Sequence, residues 1–157
     1  MRHVDASSIV HAWDTYPVAQ IPRLWEWLQR KITEPDLHMS RVAFGEVQHV
    51  SPDCATWLAA AGIALLDITD DVTGEALRLK RALGIEGENY HPRGVDENDL
   101  IIVATARIWT APLLSEEALQ PTLPPQRARY KIPAVCGAQG IRCSRFIDFM
   151  KESREVF

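Results

Sequence analysis

Five acidic side chains stand where a fold could gather them: Asp5, Glu46, Asp99, Glu116 and Glu117. Glu46 falls in the row Val42, Glu46, Val50, with Ala43 and Val47 beside it, so its carboxylate shares the apolar stripe of a helix. A carboxylate in such a stripe needs a cation or strong donors, because burying the charge alone is prohibitive; a snorkelling side chain or a structural ion pair would also satisfy it. Asp99 opens Leu100-Ile101-Ile102-Val103-Ala104 and shares a face with Val103 and Ala106. It reads either as a core-side ligand or as a first-turn acid on the helix dipole. Asp5 directly follows the extended start His3-Val4, and is either a group at a strand's carboxyl end or a cap for the next helix. Glu116 and Glu117 follow Leu113-Leu114-Ser115 and carry the same ambiguity. Brought together, these acids form a set of hard oxygen donors without a histidine or cysteine cluster, which suits Mg²⁺ or Mn²⁺ rather than zinc. Such an ion can activate water and stabilise a phosphoryl oxygen.

The elements that must position these acids are legible from caps and periodicity. Short apolar stretches at His3-Val4, Leu37–Met39, Ile63–Leu66, Ala111–Leu114 and Ile141–Cys143 alternate with helical segments. Ile21-Pro22 opens a helix with the stripe Leu24, Leu28, Ile32. Ser40 caps a helix over 41–50, Ser51-Pro52-Asp53 starts one that stops at Gly62, and Thr69 caps one reaching Leu83. Residues 96–109 form a strongly apolar helix, 120–129 a proline-rich loop, and Ile132-Pro133 opens a short helix ending at Gly140. Ser144 is expected to cap the last helix. Strands separated by helices require crossovers, hence an α/β fold with a central parallel sheet between two helical layers. Ligands of such sheets sit beyond the carboxyl ends of the strands, where Asp5 and the 115–117 segment fall.

Composition bounds the remainder. The 157 residues fit a single domain spanning 1–157. No uncharged stretch approaches the about 20 residues of a spanning helix, and no signal-peptide pattern follows Met1, so a cytoplasmic protein without a membrane partner is expected. Cys54, Cys136 and Cys143 lack CxxC spacing and read as reduced thiols. The net charge of −4 divides into an acidic body and a basic end: residues 121–157 hold seven Lys/Arg against three Asp/Glu. That distribution excludes nucleic-acid binding by bulk charge. Phosphate loops, dinucleotide fingerprints and the hydrolase GxSxG elbow are absent, and the five histidines form no ligand pair at metal spacing.

Val4-Asp5-Ala6-Ser7, Glu46, Asp99-Leu100-Ile101-Ile102-Val103-Ala104 and Leu113-Leu114-Ser115-Glu116-Glu117 resemble the acidic motifs of PIN domains. Tyr16-Pro17 with Leu24-Trp25-Glu26-Trp27-Leu28, and Lys131-Ile132-Pro133-Ala134-Val135-Cys136 through Gly140-Ile141-Arg142-Cys143, are similar to an uncharacterised PIN-like subfamily. PIN domains are metal-dependent ribonucleases, many of them toxins of toxin–antitoxin pairs. The resemblance implies that Asp5, Glu46, Asp99 and Glu117 hold one or two Mg²⁺ or Mn²⁺ ions, with Glu116 as the substitute fourth acid. The usual Ser/Thr-x-Asp motif is here Ser115-x-Glu117, one methylene longer. Ser7 stands where the family often has a hydroxyl residue, and Ser7 and Ser115 are expected on the substrate side. The implied reaction is attack of an activated water on an RNA phosphodiester. Because carboxylates repel RNA, a separate basic surface is needed, for which Arg127, Arg129 and Lys131 are the candidates. The implied partners are RNA, a cognate antitoxin protein and a second copy of the chain, with Trp25 and Trp27 as candidate dimer contacts. A catalytically inactive PIN-like module that binds RNA or protein is the alternative. A phospho-acceptor signalling domain fits less well, since one acid rather than two follows the first strand.

Overall fold

The computed structural model describes residues 1–157. The chain runs β1 (Arg2–Val4), α1 (Ala6–Thr15), α2 (Pro22–Thr33), β2 (Leu37–Ser40), α3 (Arg41–Val50), α4 (Pro52–Ala61), β3 (Ala64–Leu66) and α5 (Asp70–Ala82). It continues through α6 (Glu97–Ile108), β4 (Leu113–Leu114), a 3₁₀ turn (Arg127–Arg129), α7 (Ile132–Gln139), β5 (Cys143–Ser144) and α8 (Phe146–Ser153). All strand pairs are parallel, in the order β3-β2-β1-β4-β5. The order reverses between β1 and β4, so the carboxyl ends of these two strands flank the switch point. The expected three-layer α/β/α architecture is present.

One row of the register runs Ala64, His38, His3, Leu113, Cys143. Side chains of one row share a face, and the next row points the other way. Val4, Met39 and Leu114 therefore face opposite to the histidines, toward Ile9 of α1, Leu28 and Ile32 of α2, Leu58 of α4 and Phe146 of α8. Helices α6 and α7 cover the histidine face, and α5 packs on α6. No helix is long and apolar enough to cross a membrane.

Several local expectations hold for the reasons given. Ser40 Oγ accepts Ala43 N (3.2 Å) and Thr69 Oγ1 accepts Val72 N (3.3 Å). Gly62 and Gly140 stop α4 and α7 in the left-handed region at φ 80° and 68°. Others need correction. Ala111 lies outside β4, and β5 is shifted to Cys143–Ser144 because Ser144 O accepts Ser115 N (3.0 Å). Ser144 thus belongs to the sheet, and Arg145 takes the cap position of α8, its N–H bound by Asp148 Oδ2 (3.3 Å). Trp25 and Trp27 are not dimer contacts: they are 3% and 1% exposed. Trp25 Nε1 donates to Tyr16 O (2.7 Å), and its ring packs edge-on against Trp13 and Trp57. Trp27 lies against Phe149 and Phe157.

Candidate active site

Asp5 occupies the cap position of α1, but its side chain caps nothing. The carboxylate is 3% exposed and turns across to β4. Its Oδ2 accepts the hydroxyl of Ser7 in a short bond and that of Ser115 at 3.0 Å. The same hydroxyl oxygens accept backbone N–H groups in turn: Ser7 Oγ from Glu116 (3.0 Å) and Ser115 Oγ from Glu117 (3.2 Å). Two serines thereby lock the segment after β4 to the end of β1. Burial pushes the Asp5 carboxyl above its ordinary range; the two hydroxyls pull it back, and the Glu117 charge pushes it further up.

Three more acids reach the same end of the sheet from other elements. Glu46, on α3, is half-buried and accepts Asn98 Nδ2 at 3.1 Å. Burial raises its carboxyl, the Asn98 bond opposes this, and the charges of Asp5, Asp96 and Glu117 add to it. Asp99, on the first turn of α6, is pushed up to about 8, chiefly by burial and further by Asp96, Asp5 and Glu117. The hydrogen bonds of Asp99 show the first-turn reading. Its Oδ2 accepts Asp96 N (2.9 Å), while Asp96 Oδ1 accepts Asp99 N (2.9 Å), closing a capping box. Asp96 is accordingly the cap of α6.

The two neighbouring glutamates part company. Glu116 Oε1 accepts Phe146 N at 2.7 Å, so its carboxylate is committed to the first turn of α8. Glu117 is the one whose charge acts on Asp5, Glu46 and Asp99. Its Oε2 lies 3.6 Å from Lys131 Nζ. Of the candidate cations, Lys131 is thus tied to the acid cluster, and Arg127 Nη1 donates to Ala82 O at the end of α5 (3.3 Å). Arg129 pairs with no carboxylate, and its buried Nε has no hydrogen-bond partner.

The sequence profile of the domain of unknown function DUF4411 matches residues 3–157, essentially the whole chain. This chain belongs to the DUF4411 family. No curated protein matches the DUF4411 chain. Among solved structures it is similar to a VapBC2 complex from Rickettsia felis bound to a DNA fragment from their promoter, with 18% identity and a TM-score of 0.50. That likeness covers 74% of the DUF4411 chain and 86% of the matched one. It is also similar to a toxin–antitoxin complex from Klebsiella pneumoniae, with 15% identity, a TM-score of 0.49 and coverage of 80% and 94%. At 18% identity the likeness establishes a shared fold, and the DUF4411 fold is PIN-like, as the acidic motifs implied.

The DUF4411 site fits a hard divalent cation by donor chemistry. Its carboxylates come from α3, α6 and the segments after β1 and β4, and no Lys or Arg neutralises Asp5, Glu46 or Asp99. Burial and mutual repulsion raise the proton affinity of all three, the condition in which a cation is most strongly favoured. No three His, Cys, Asp or Glu side chains stand close enough to form a ready-made cage. Three supporting residues have no signature in the sequence. Asn98 holds Glu46, and Gln120 binds the backbone at both Arg129 and Lys131. Gly94 lies so close to Ala128 that a Cβ there would sit 1.9 Å from Ala128 O.

Proposed function

We propose that this chain is a Mg²⁺- or Mn²⁺-dependent endoribonuclease and the toxin of a toxin–antitoxin pair. What supports the reading is that Asp5, Glu46, Asp99 and Glu117 stand on separate elements about the β1/β4 switch point with Asp5 and Glu117 acting by charge on the others, and that three of the four have no basic partner. Asp5, Glu46, Asp99 and Glu117 would hold the cation, with Glu116, whose Oε1 is bound to the first turn of α8, ranking behind Glu117 as the fourth acid. A divalent ion bound there supplies an activated water and offsets the charge that builds on the phosphate. Ser7 and Ser115 fix the orientation of Asp5 by donating to one of its two oxygens, which leaves the other free to coordinate. Asn98 does the same for Glu46. Lys131 holds Glu117 and tempers the negative field that would repel RNA. Arg129, whose Nε is buried and which pairs with no acid, would take a backbone phosphate through its terminal nitrogens.

The partners in this reading are an RNA substrate and an antitoxin protein, and the place of action is the cytoplasm. A homodimer would have to use surfaces other than Trp25 and Trp27; a monomeric mass by light scattering at micromolar concentration would exclude it. The absence of a ready-made three-residue cage favours a second reading, a PIN-like module that binds RNA or protein without cleaving it. Incubating the purified protein with a pool of structured RNAs in Mg²⁺, Mn²⁺ or EDTA separates the two. Cleavage that needs the metal and disappears in Asp99→Asn supports the nuclease. Failure to cleave by a folded, metal-saturated protein supports the module.

A further inference from the structure

The segment carrying Arg129 and Lys131 has no strand beside it, yet its backbone is paired on both sides. Tyr130 and Lys131 are extended, at φ −65°, ψ 136° and φ −88°, ψ 169°. In an extended chain the carbonyl of one residue and the N–H two residues later point the same way. Here both are taken by a single side chain: Gln120 Nε2 donates to Arg129 O (3.0 Å), and Gln120 Oε1 accepts Lys131 N (2.8 Å). The amide stands in for a peptide group of a missing strand. On the other edge Tyr130 O accepts Val95 N (2.9 Å), from the segment leading into α6 and Asp99. One residue earlier, the bare Cα of Gly94 rests on the Ala128 carbonyl. Pro121, Pro124 and Pro125 lie between Gln120 and this segment and can donate nothing to it. Gln120 itself follows the Glu117 loop by three residues, so one short stretch supplies both an acid of the site and the clamp on its basic arm.

We propose that Gln120 is a positioning residue for RNA binding: its amide holds the 129–131 segment as a preformed arm, tied to the acid cluster through Lys131 and Glu117, from which the terminal nitrogens of Arg129, paired with no carboxylate, meet a backbone phosphate of single-stranded RNA. The inference rests on the nuclease reading for its ligand, but the clamp itself can be tested without RNA. Lys131 keeps its contact with Glu117, and Arg129 does the phosphate binding, so the two cations have separate roles.

Gln120→Ala, Arg129→Gln and the double variant test this, using hydrogen exchange of the Lys131 amide and binding of a short single-stranded RNA in EDTA over a range of KCl. In Gln120→Ala the Lys131 amide should lose about tenfold or more of its protection while the melting temperature stays within about 3 °C. RNA binding should weaken about five- to tenfold in each single variant, and Arg129→Gln should lower the salt slope by about 0.7. The double variant should bind no worse than the weaker single one, because Gln120 acts through Arg129. Unchanged Lys131 protection in Gln120→Ala overturns the clamp and leaves the nuclease reading untouched. A loosened arm with unaltered RNA affinity, or losses that multiply in the double variant, overturns the positioning role. A wild-type protein that shows no salt-dependent RNA binding in EDTA overturns this inference, whereas the nuclease reading stands or falls on metal-dependent cleavage.

Discussion

His3 and Asp5 lie two residues apart on one segment and are equally buried, at 0% and 3% exposure, but their surroundings are opposite. Asp5 receives two hydroxyl groups and stands among other carboxylates. His3 faces only His38, its register partner on β2, at 4.9 Å between ring centroids, and none of the four ring nitrogens has a hydrogen-bond partner. In the middle of the sheet the structure enforces neutrality. Burial and the His38 charge push His3 down to about 3; burial and the N-terminal amine push His38 down to about 4. At the carboxyl end of the same strand, carboxyl groups are concentrated instead, and burial raises their affinity for protons. His3 and Asp5 thus differ in whether they are given hydrogen-bond partners, not in how deeply they lie.

The largest effect expected is on activity. Asp5→Asn and Asp99→Asn should each lower RNA cleavage by about 10²–10³-fold or more with the fold retained, measured as initial rates beside circular dichroism spectra. Ser115→Ala, which removes a donor to Asp5 but no acid, should cost about 10–100-fold. Equal losses for serine and acid variants would mean that Asp5 is there for structure alone.

The histidine pair should dominate the acid response of the fold. Both folded values lie below the ordinary 6.5, so above that pH both states are neutral and stability is full. As pH falls below about 6.5 the unfolded chain takes protons that the folded one refuses, and stability declines toward pH 3–4. By pH 5 the loss is about 2 kcal/mol for each histidine, a large fraction of the about 5–15 kcal/mol of a typical domain. Urea unfolding at pH 7 and pH 5 should register it, and His38→Leu should abolish roughly half. A pH-independent midpoint would show the pair to be satisfied in solution.

The acid cluster has the reverse sign. Asp99 is pushed up to about 8, so its contribution to stability is present below about pH 4 and lost as pH rises through 8. Without metal, Asp99→Asn should raise the melting temperature at pH 8 by about 2–4 °C or more, read by thermal unfolding. In Mn²⁺ the ranking should invert, with wild type gaining stability and the variant gaining none. The smallest effect belongs to Glu116→Gln. It weakens a helix-end contact worth about 1 kcal/mol and leaves cleavage within about twofold, whereas Glu117→Gln lowers it severely. Glu116→Gln abolishing cleavage would reverse the assignment of the fourth acid.

How far the sequence could be read follows from where each residue finds its partners. Ser40, Thr69, Gly62 and Gly140 act within a few residues of themselves, so element order and the parallel sheet were legible. Asp5 was legible as an acid at a strand end, but its side chain turns from the cap of α1 to Ser115, 110 residues away. Asn98 and Glu46 are separated by 52 positions, and no local pattern announces that bond. Gln120 sits beside a proline-rich loop and shows its role only once the chain turns back at Arg129. Trp25 and Trp27 read the same in the sequence whether they meet a second copy or, as here, the chain's own core. Ser144 belongs to a two-residue strand, too short for any alternation to set it apart from a cap.

Calorimetric titration of Mn²⁺ into the folded protein at pH 7.5 asks whether the acid cluster takes the cation proposed for it. Wild type and His38→Leu should show the same saturable binding, and Asp5→Asn and Asp99→Asn should show none. Absence of binding to folded wild type, or binding unchanged in both aspartate variants, would contradict the account.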